Sequence, residues 1–206
     1  IDNSALDESL VQRLDGVDFT KPSFITLHQR ASHAPFLDYI PKDFRPFNSE
    51  NTDNLEQNTI DYINSVRYTD DVIKNIVEKL EEKTKRPTYI IFTSDHATNI
   101  GDGSRQGHGM LGNSSIYRVP FFIYAINTKN SLKNSFDNFP YLSHYQISNI
   151  VSKLLGYETN YEIFNKKAGY FVGGHDLSGL GGFIKISFDE NDNIAQDDKG
   201  KEWVKR

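Results

Sequence analysis

The stretch "YIIFTSDHATNIGDGSRQGHGML", residues 89–111, constrains the fold more than any other part of the chain. It runs from Tyr89 to Thr93, apolar or β-prone throughout, straight into Ser94-Asp95-His96, and then into a loop carrying Gly101, Gly103, Gly107 and Gly109 around His108. An apolar run of this length, preceded by Pro87 and followed by polar residues, is expected as a strand buried on both faces. Strands of that kind belong to parallel sheets, where ligands bind just beyond the carboxyl ends of the strands. Asp95 and His96 would stand at such an end. Neighbours on an extended strand point to opposite faces, so the two side chains can serve one ligand only if the chain bends there. The glycines that follow supply the backbone freedom for a bend.

A strand needs neighbours, and two more candidates flank it. "KPSFITLH" (21–28) is expected as a second buried strand, with Pro22 tolerated at its start. "RVPFFIYA" (118–125) is expected as a third, pushed towards an edge or a late start by Pro120. Residues 5–14 suit a short helix. Between 55 and 83, Ile60, Ile63, Val66, Ile73, Ile76, Val77 and Leu80 recur at helical spacing, and Lys79 and Lys83 suit the negative end of that helix. A long helix joining two strands of one sheet makes a right-handed crossover between parallel strands. A second helix is expected at 143–156: Ser143 and Gln146 form a capping box, Ile147, Ile150, Val151, Leu154 and Leu155 one stripe, and Gly156 the stop. Beyond it, "GYFVGG" and "GGFIKISF" suit short strands, and "DENDN" (189–193) a turn that closes an antiparallel hairpin. The expected fold class is α/β: a three-layer α/β/α arrangement with a mostly parallel sheet, incomplete at its N-terminal side, and a C-terminal antiparallel hairpin.

Composition narrows the function classes. A formal net charge of −5 with scattered basic residues leaves no electrostatic footprint for nucleic acid. An anionic substrate would therefore need local positive charge, such as a metal. The absence of cysteine excludes disulfides and thiolate metal sites. No segment approaches the roughly 18 apolar residues of a membrane span, and the first residues have no signal-peptide character. The 206 residues suffice for a single domain with a sizeable core.

One carboxylate and one imidazole, Asp95 and His96, suit zinc or manganese, but two ligands do not close a site. His33, in the loop after the first expected strand, and His108, in the loop after the second, would gather with His96 at one end of a parallel sheet. A single loop histidine is more often a solvated surface residue; three converging loops change that weighing. His28 ends its strand and is expected to be structural. His144 in the first turn of a helix and His175 in a glycine turn are expected on the surface.

Taken in order, "LHQRASHAPF", Tyr68-Thr69-Asp70, "FTSDHATNIGDG", and "GHGML" followed by "YRVPFFIYA" resemble the C-terminal part of the sulfatase/alkaline phosphatase superfamily, in particular its membrane-anchored phosphoethanolamine transferase branch. The resemblance covers about residues 20–160, and the ordered set is far more specific than any one piece. It implies that Asp95 and His96 bind a catalytic zinc. It implies that His33, in the Ser-His-x-Pro motif, and His108, in the His-Gly motif, act on the phosphoryl group, the leaving group or a second zinc. Where the family usually reads Asp-His-Gly-Glu, this chain has Asp95-His96-Ala97-Thr98, so one loop carboxylate is missing. The family's nucleophilic threonine, a further zinc carboxylate and the membrane helices lie upstream of everything matched, and Thr26, Thr93 and Thr98 are in the wrong places to replace that threonine.

The resemblance thus implies that residues 1–206 are the C-terminal part of one catalytic domain. Its parent would be membrane-anchored and act at the periplasmic face of the inner membrane, moving phosphoethanolamine from a phospholipid donor to an envelope glycolipid or glycan with zinc as cofactor. This chain alone is expected to carry half the site and no activity. Two alternatives stand beside this reading. One is a sulfatase or other phosphodiester hydrolase of the same superfamily; the histidine-rich site argues against a true sulfatase, which prefers calcium and so six to eight oxygens. The other is a non-catalytic metal-binding or envelope-associated module.

Overall fold

The computed structural model describes residues 6–100, 107–108, 116, 118–129, 132, 143–158, 170–175, 181–188 and 194–203. The chain divides into two compact units: Ile1–Ile90 with Tyr124–Lys129, and Ile91–Ile123 with Asn130–Arg206.

In the first unit a short helix α1 (Glu8–Arg13) runs into a single 3-10 turn at Leu14–Gly16, and a long helix α2 spans Gln57–Lys83. The buried side of α2 is a row of four-residue steps, Ile60, Asn64, Tyr68, Val72, Ile76 and Leu80, which keeps one face of a helix turned to the core. Val66, expected on that stripe, is 41% exposed. Asn64 and Tyr68 take the positions that an apolar count alone passes over. Asn64 is affordable there because its amide pairs both ways with Phe47, its Oδ1 accepting from the backbone N–H and its Nδ2 donating to the carbonyl, each at 2.9 Å. A buried polar group so matched avoids the cost of an unmet hydrogen bond.

Tyr68, Val72, Ile76 and Leu80 pack with Leu14, Ala31, Ile40 and Ile126 into one core cluster. Each large apolar side chain so buried contributes about 1.5–3 kcal/mol. The Phe44 ring meets Tyr68 edge-on at 5.4 Å. At the helix end Lys79 and Lys83 both reach the Asp15 carboxylate, and their hydrogen bonds, Lys79 foremost, hold its carboxyl below the ordinary carboxylate range.

Strands β1 (Thr88–Thr93) and β2 (Phe121–Ile126) pair in a two-stranded sheet. β1 is half-buried along its whole length rather than buried on both faces. β2 begins one residue after Pro120, which has no N–H to give to a ladder. The expected three-layer arrangement around a mostly parallel sheet is not what the described residues form. Residues 21–28, expected as the parallel partner across the α2 crossover, make no strand. A strand exists only where a neighbour takes up its N–H and C=O groups, and this segment joins no ladder among the described residues. Phe24 is 63% exposed and Ile25 40%.

In the second unit, helix α3 (His144–Leu154) begins as its sequence dictates. The Ser143 hydroxyl accepts from Tyr145 N–H at 3.3 Å, and Gln146 Oε1 accepts from the Ser143 N–H at 2.8 Å. Gly156, at φ +85°, turns the chain out of the helix, with the Tyr157 N–H closing on Ser152 O at 3.0 Å. Then β3 (Tyr170–His175), β4 (Gly181–Phe188) and β5 (Ile194–Trp203) form an antiparallel sheet in the order β3-β4-β5. Pairing runs from Tyr170 with Ile186 to His175 with Gly181, and from Phe188 with Ile194 to Gly182 with Trp203, with an irregularity between Phe183 and Lys185. The expected hairpin is thus formed by β4 and β5, while its turn, 189–193, lies outside the described residues. His175, expected in a glycine turn, is the last residue of β3.

Two outcomes follow from this packing. Ser143→Ala should lower stability by about 1 kcal/mol in a denaturant titration, the usual cost of an N-cap, whereas no change would place the helix start elsewhere. The Tyr68 hydroxyl is buried, and burial, followed by the charge of Glu8, pushes the phenol from its ordinary 10.0 up to about 12. A raised folded value means that neutral Tyr68 supports the fold fully below about pH 10 and that this support fades as pH rises through about 12. Tyr68→Phe should therefore flatten the alkaline loss of stability over that window; parallel curves for the two proteins would exclude Tyr68 as its source.

Candidate active site

β1 stops at Thr93, and two side-chain hydrogen bonds and one to a distant carbonyl replace the ladder over the next four residues. The Ser94 hydroxyl donates to the His96 carbonyl at 2.7 Å, and Asp95 Oδ1 accepts from the His96 N–H at 3.0 Å. The Ala97 N–H then donates to Ile116 O at 2.9 Å. This turn is the bend that the Asp-His pair requires. It brings Asp95 Oδ2 to 3.9 Å from His96 Nε2, with the Asp95 side chain 81% exposed and that of His96 32%.

His96 Nδ1 lies 3.0 Å from Ala97 O. A carbonyl only accepts, so Nδ1 is the protonated nitrogen of the neutral ring, and Nε2, on the Asp95 side, keeps the lone pair. Metal-binding histidines are commonly prepared in this way, one ring N–H given to a carbonyl and the other nitrogen left as ligand.

Asn99 and Gly107 pair in an isolated antiparallel bridge, with N–H to O distances of 2.9 and 3.2 Å. Gly107 sits at φ +133°, a conformation that side-chain-bearing residues rarely adopt. The next residue, His108, stacks its ring on His96 with centroids 4.1 Å apart and planes 13° from parallel. Two of the three loop histidines singled out in the sequence are thus in contact.

His33 belongs to the first unit and is held there by its own set of contacts. The buried Asp7 carboxylate accepts from the backbone N–H groups of Arg30 and Ala31, each at 2.9 Å, fixing the start of the loop. The His33 N–H donates to Arg30 O at 3.0 Å. Tyr39 receives the Arg30 guanidinium over its ring at 4.0 Å and faces the His33 ring edge-on at 6.1 Å. His33 Nδ1 bonds to Ala34 O, which gives it the same tautomer as His96. His28, expected to be structural within a strand, is exposed in the segment that forms none.

Sequence reasoning missed His144. Expected as a plain surface residue, it opens α3 with Nε2 2.8 Å from Ser94 O and 3.4 Å from Thr93 Oγ1. A signal for it existed, because helices that follow strands in α/β units start at the end of the sheet where ligands bind, and the capping box fixes where α3 starts.

Asp95 and His96 offer a hard oxygen and an imidazole nitrogen, a donor set suited to zinc. Ligand atoms of a tetrahedral zinc stand about 3.3 Å apart, so their 3.9 Å separation needs a small closing movement of the exposed Asp95. Among the described residues no group of three or more His, Cys, Asp or Glu could hold a metal ion. The pair fits part of a zinc shell, not a whole one.

The family model for Sulfatase matches residues 2–164, so the chain belongs to the Sulfatase family. Within it, the chain is similar to phosphoethanolamine transferase EptA of Helicobacter pylori, 28% identical over 132 residues that cover 58% of this chain and 25% of that protein. It is also similar to phosphoethanolamine transferase EptA of Escherichia coli K12, 27% identical over 147 residues, 64% of this chain and 27% of that protein. The chain spans about a quarter of the length of these curated relatives. No solved structure matches it. His33, Asp95, His96, His108 and His144 all fall within the family match, and the β3-β4-β5 sheet lies beyond it.

The bridge at Gly107 gives the site a direct check. Gly107→Ala should destabilise the chain by about 1 kcal/mol or more, the cost of a residue held in a sparsely populated conformation, and should erase the nuclear Overhauser contact between the His96 and His108 rings. Retention of both stability and contact would show that the loop does not depend on this bridge.

Proposed function

We propose that these residues carry part of the active centre of a zinc-dependent phosphoethanolamine transferase, with Asp95 and His96 as metal ligands. The observation that supports this reading most is the turn at 94–97, in which the Asp95 carboxylate and the lone-pair nitrogen of His96 are presented side by side in a chain of the Sulfatase family. Further ligands and the attacking threonine come, on this reading, from residues outside those described. The three-layer α/β/α sheet of the superfamily would be completed in the same way.

Zinc held there would act as a Lewis acid on the phosphoryl oxygens and lower the pKa of an attacking hydroxyl. The chain's own residues have separate tasks. Asp95 supplies negative charge that favours the cation, and the Ala97 carbonyl keeps the His96 lone pair on Nε2 and the ring in orientation. His108, stacked on His96, orients the phosphoryl group or the departing oxygen. His33, with Nδ1 engaged by Ala34 O, is assigned to the phosphoryl or leaving group by the family resemblance alone. The donor would be a phospholipid and the acceptor an envelope glycolipid or glycan, at the periplasmic face of the inner membrane. Among the described residues no helix is long and apolar enough to cross a membrane, so anchoring would fall to other segments.

The test is calorimetric titration of the chain with zinc, then of the zinc-loaded chain with O-phosphoethanolamine. Zinc should bind more weakly than at a complete four-ligand site, phosphoethanolamine should bind only when zinc is present, and His96→Ala should abolish both. Zinc binding unchanged by His96→Ala, or a preference for calcium and a sulfate ester, would overturn the reading.

A further inference from the structure

We infer that His144 is a positioning residue for the Asp95–His96 pair, acting through the Ser94 carbonyl. The inference rests on the proposed metal role of Asp95 and His96. Nothing in the family match or the named relatives assigns this histidine a task.

Ser94 is where β1 gives up its ladder, and its two polar groups face opposite duties. Its hydroxyl donates to the His96 carbonyl at 2.7 Å and so sets the turn from within. Its carbonyl, released from the strand, receives the His144 ring at 2.8 Å. Because a carbonyl only accepts, His144 Nε2 must carry the proton in that bond, and the Thr93 hydroxyl at 3.4 Å lies beside the same nitrogen. The backbone that carries the ring is fixed by the helix start. His144 is the first residue of α3, the Ser143–Gln146 box fixes where that helix begins, and Ser148 Oγ donates to His144 O at 2.9 Å. A capped helix thereby holds the peptide that precedes Asp95.

The consequence is geometric. If the Ser94 peptide rotates, the Ser94 hydroxyl and the Asp95 N–Cα direction rotate with it, and both side chains of the pair swing apart. Metal ligation is sensitive to such support, and loss of an outer hydrogen bond commonly lowers affinity about 10–100-fold.

The experiment compares the chain with His144→Ala and His144→Gln, the latter keeping an N–H donor on a side chain of similar reach. Three quantities are read: zinc affinity by calorimetry, the Overhauser contact between the His96 and His108 rings without metal, and the thermal midpoint. His144→Ala should weaken zinc binding about tenfold and diminish the ring contact while leaving the thermal midpoint near that of the parent, and His144→Gln should restore both. Unchanged zinc affinity and ring contact in His144→Ala would overturn the inference, and so would a His144→Gln variant that fails to restore either. A parent chain that binds no zinc would count against the proposed function instead, and the ring contact, which needs no metal, would still decide the role of His144.

Discussion

The candidate site depends on where β1 ends. Side chains of neighbouring residues in a strand point to opposite faces, so Asp95 and His96 can meet one ligand only off the strand. The chain leaves its ladder at Ser94 because side chains and a distant helix take over the backbone hydrogen bonds there. The Ser94 hydroxyl, the Asp95 carboxylate, the Ile116 carbonyl and the His144 ring each satisfy one backbone group of the turn. Among the described residues, His96 Nε2 and the outer oxygen of Asp95 face each other at 3.9 Å, with the Asp95 side chain 81% exposed. These are the atoms a metal would use on the proposed reading.

The same economy operates in the first unit. The buried carboxylate of Asp7 takes two backbone N–H groups at the start of the His33 loop, and Asn64 matches both backbone groups of Phe47. Buried polar groups are tolerated because they are paired, and the pairing fixes irregular backbone that no helix or ladder would hold. His33 and His96 both place Nδ1 on the carbonyl of the following residue. In each case the main chain selects the tautomer, so that the chemistry of the imidazole is decided by local backbone geometry.

Local signals in the sequence were strong and long-range ones weak. The Ser143–Gln146 box, the Gly156 stop and the antiparallel pairing of β4 with β5 could all be read from a few adjacent residues. The buried face of α2 was read only in part, since Asn64 and Tyr68 owe their burial to partners distant in sequence. The segment 21–28 had the composition of a strand, but a strand is a relation between two segments, and no ladder partner stands beside it among the described residues. At the site, the types of Asp95, His96 and His108 announced themselves, while the stacking of His108 on His96 follows from a bridge at Gly107 that no periodicity encodes. His144 was hidden for the opposite reason. Its chemistry is visible only once the end of β1 and the start of α3 are known together.

The central claim is that the turn at 94–97 builds a zinc-binding pair. Diffraction from crystals soaked in zinc, measured on both sides of the zinc absorption edge, tests it most directly. The account predicts an anomalous peak about 2.0–2.2 Å from both His96 Nε2 and an Asp95 carboxylate oxygen, with the His96 Nδ1 still on Ala97 O. A peak bound elsewhere on the chain, or an Asp95–His96 pair that stays free of metal at zinc concentrations filling other sites, would contradict it.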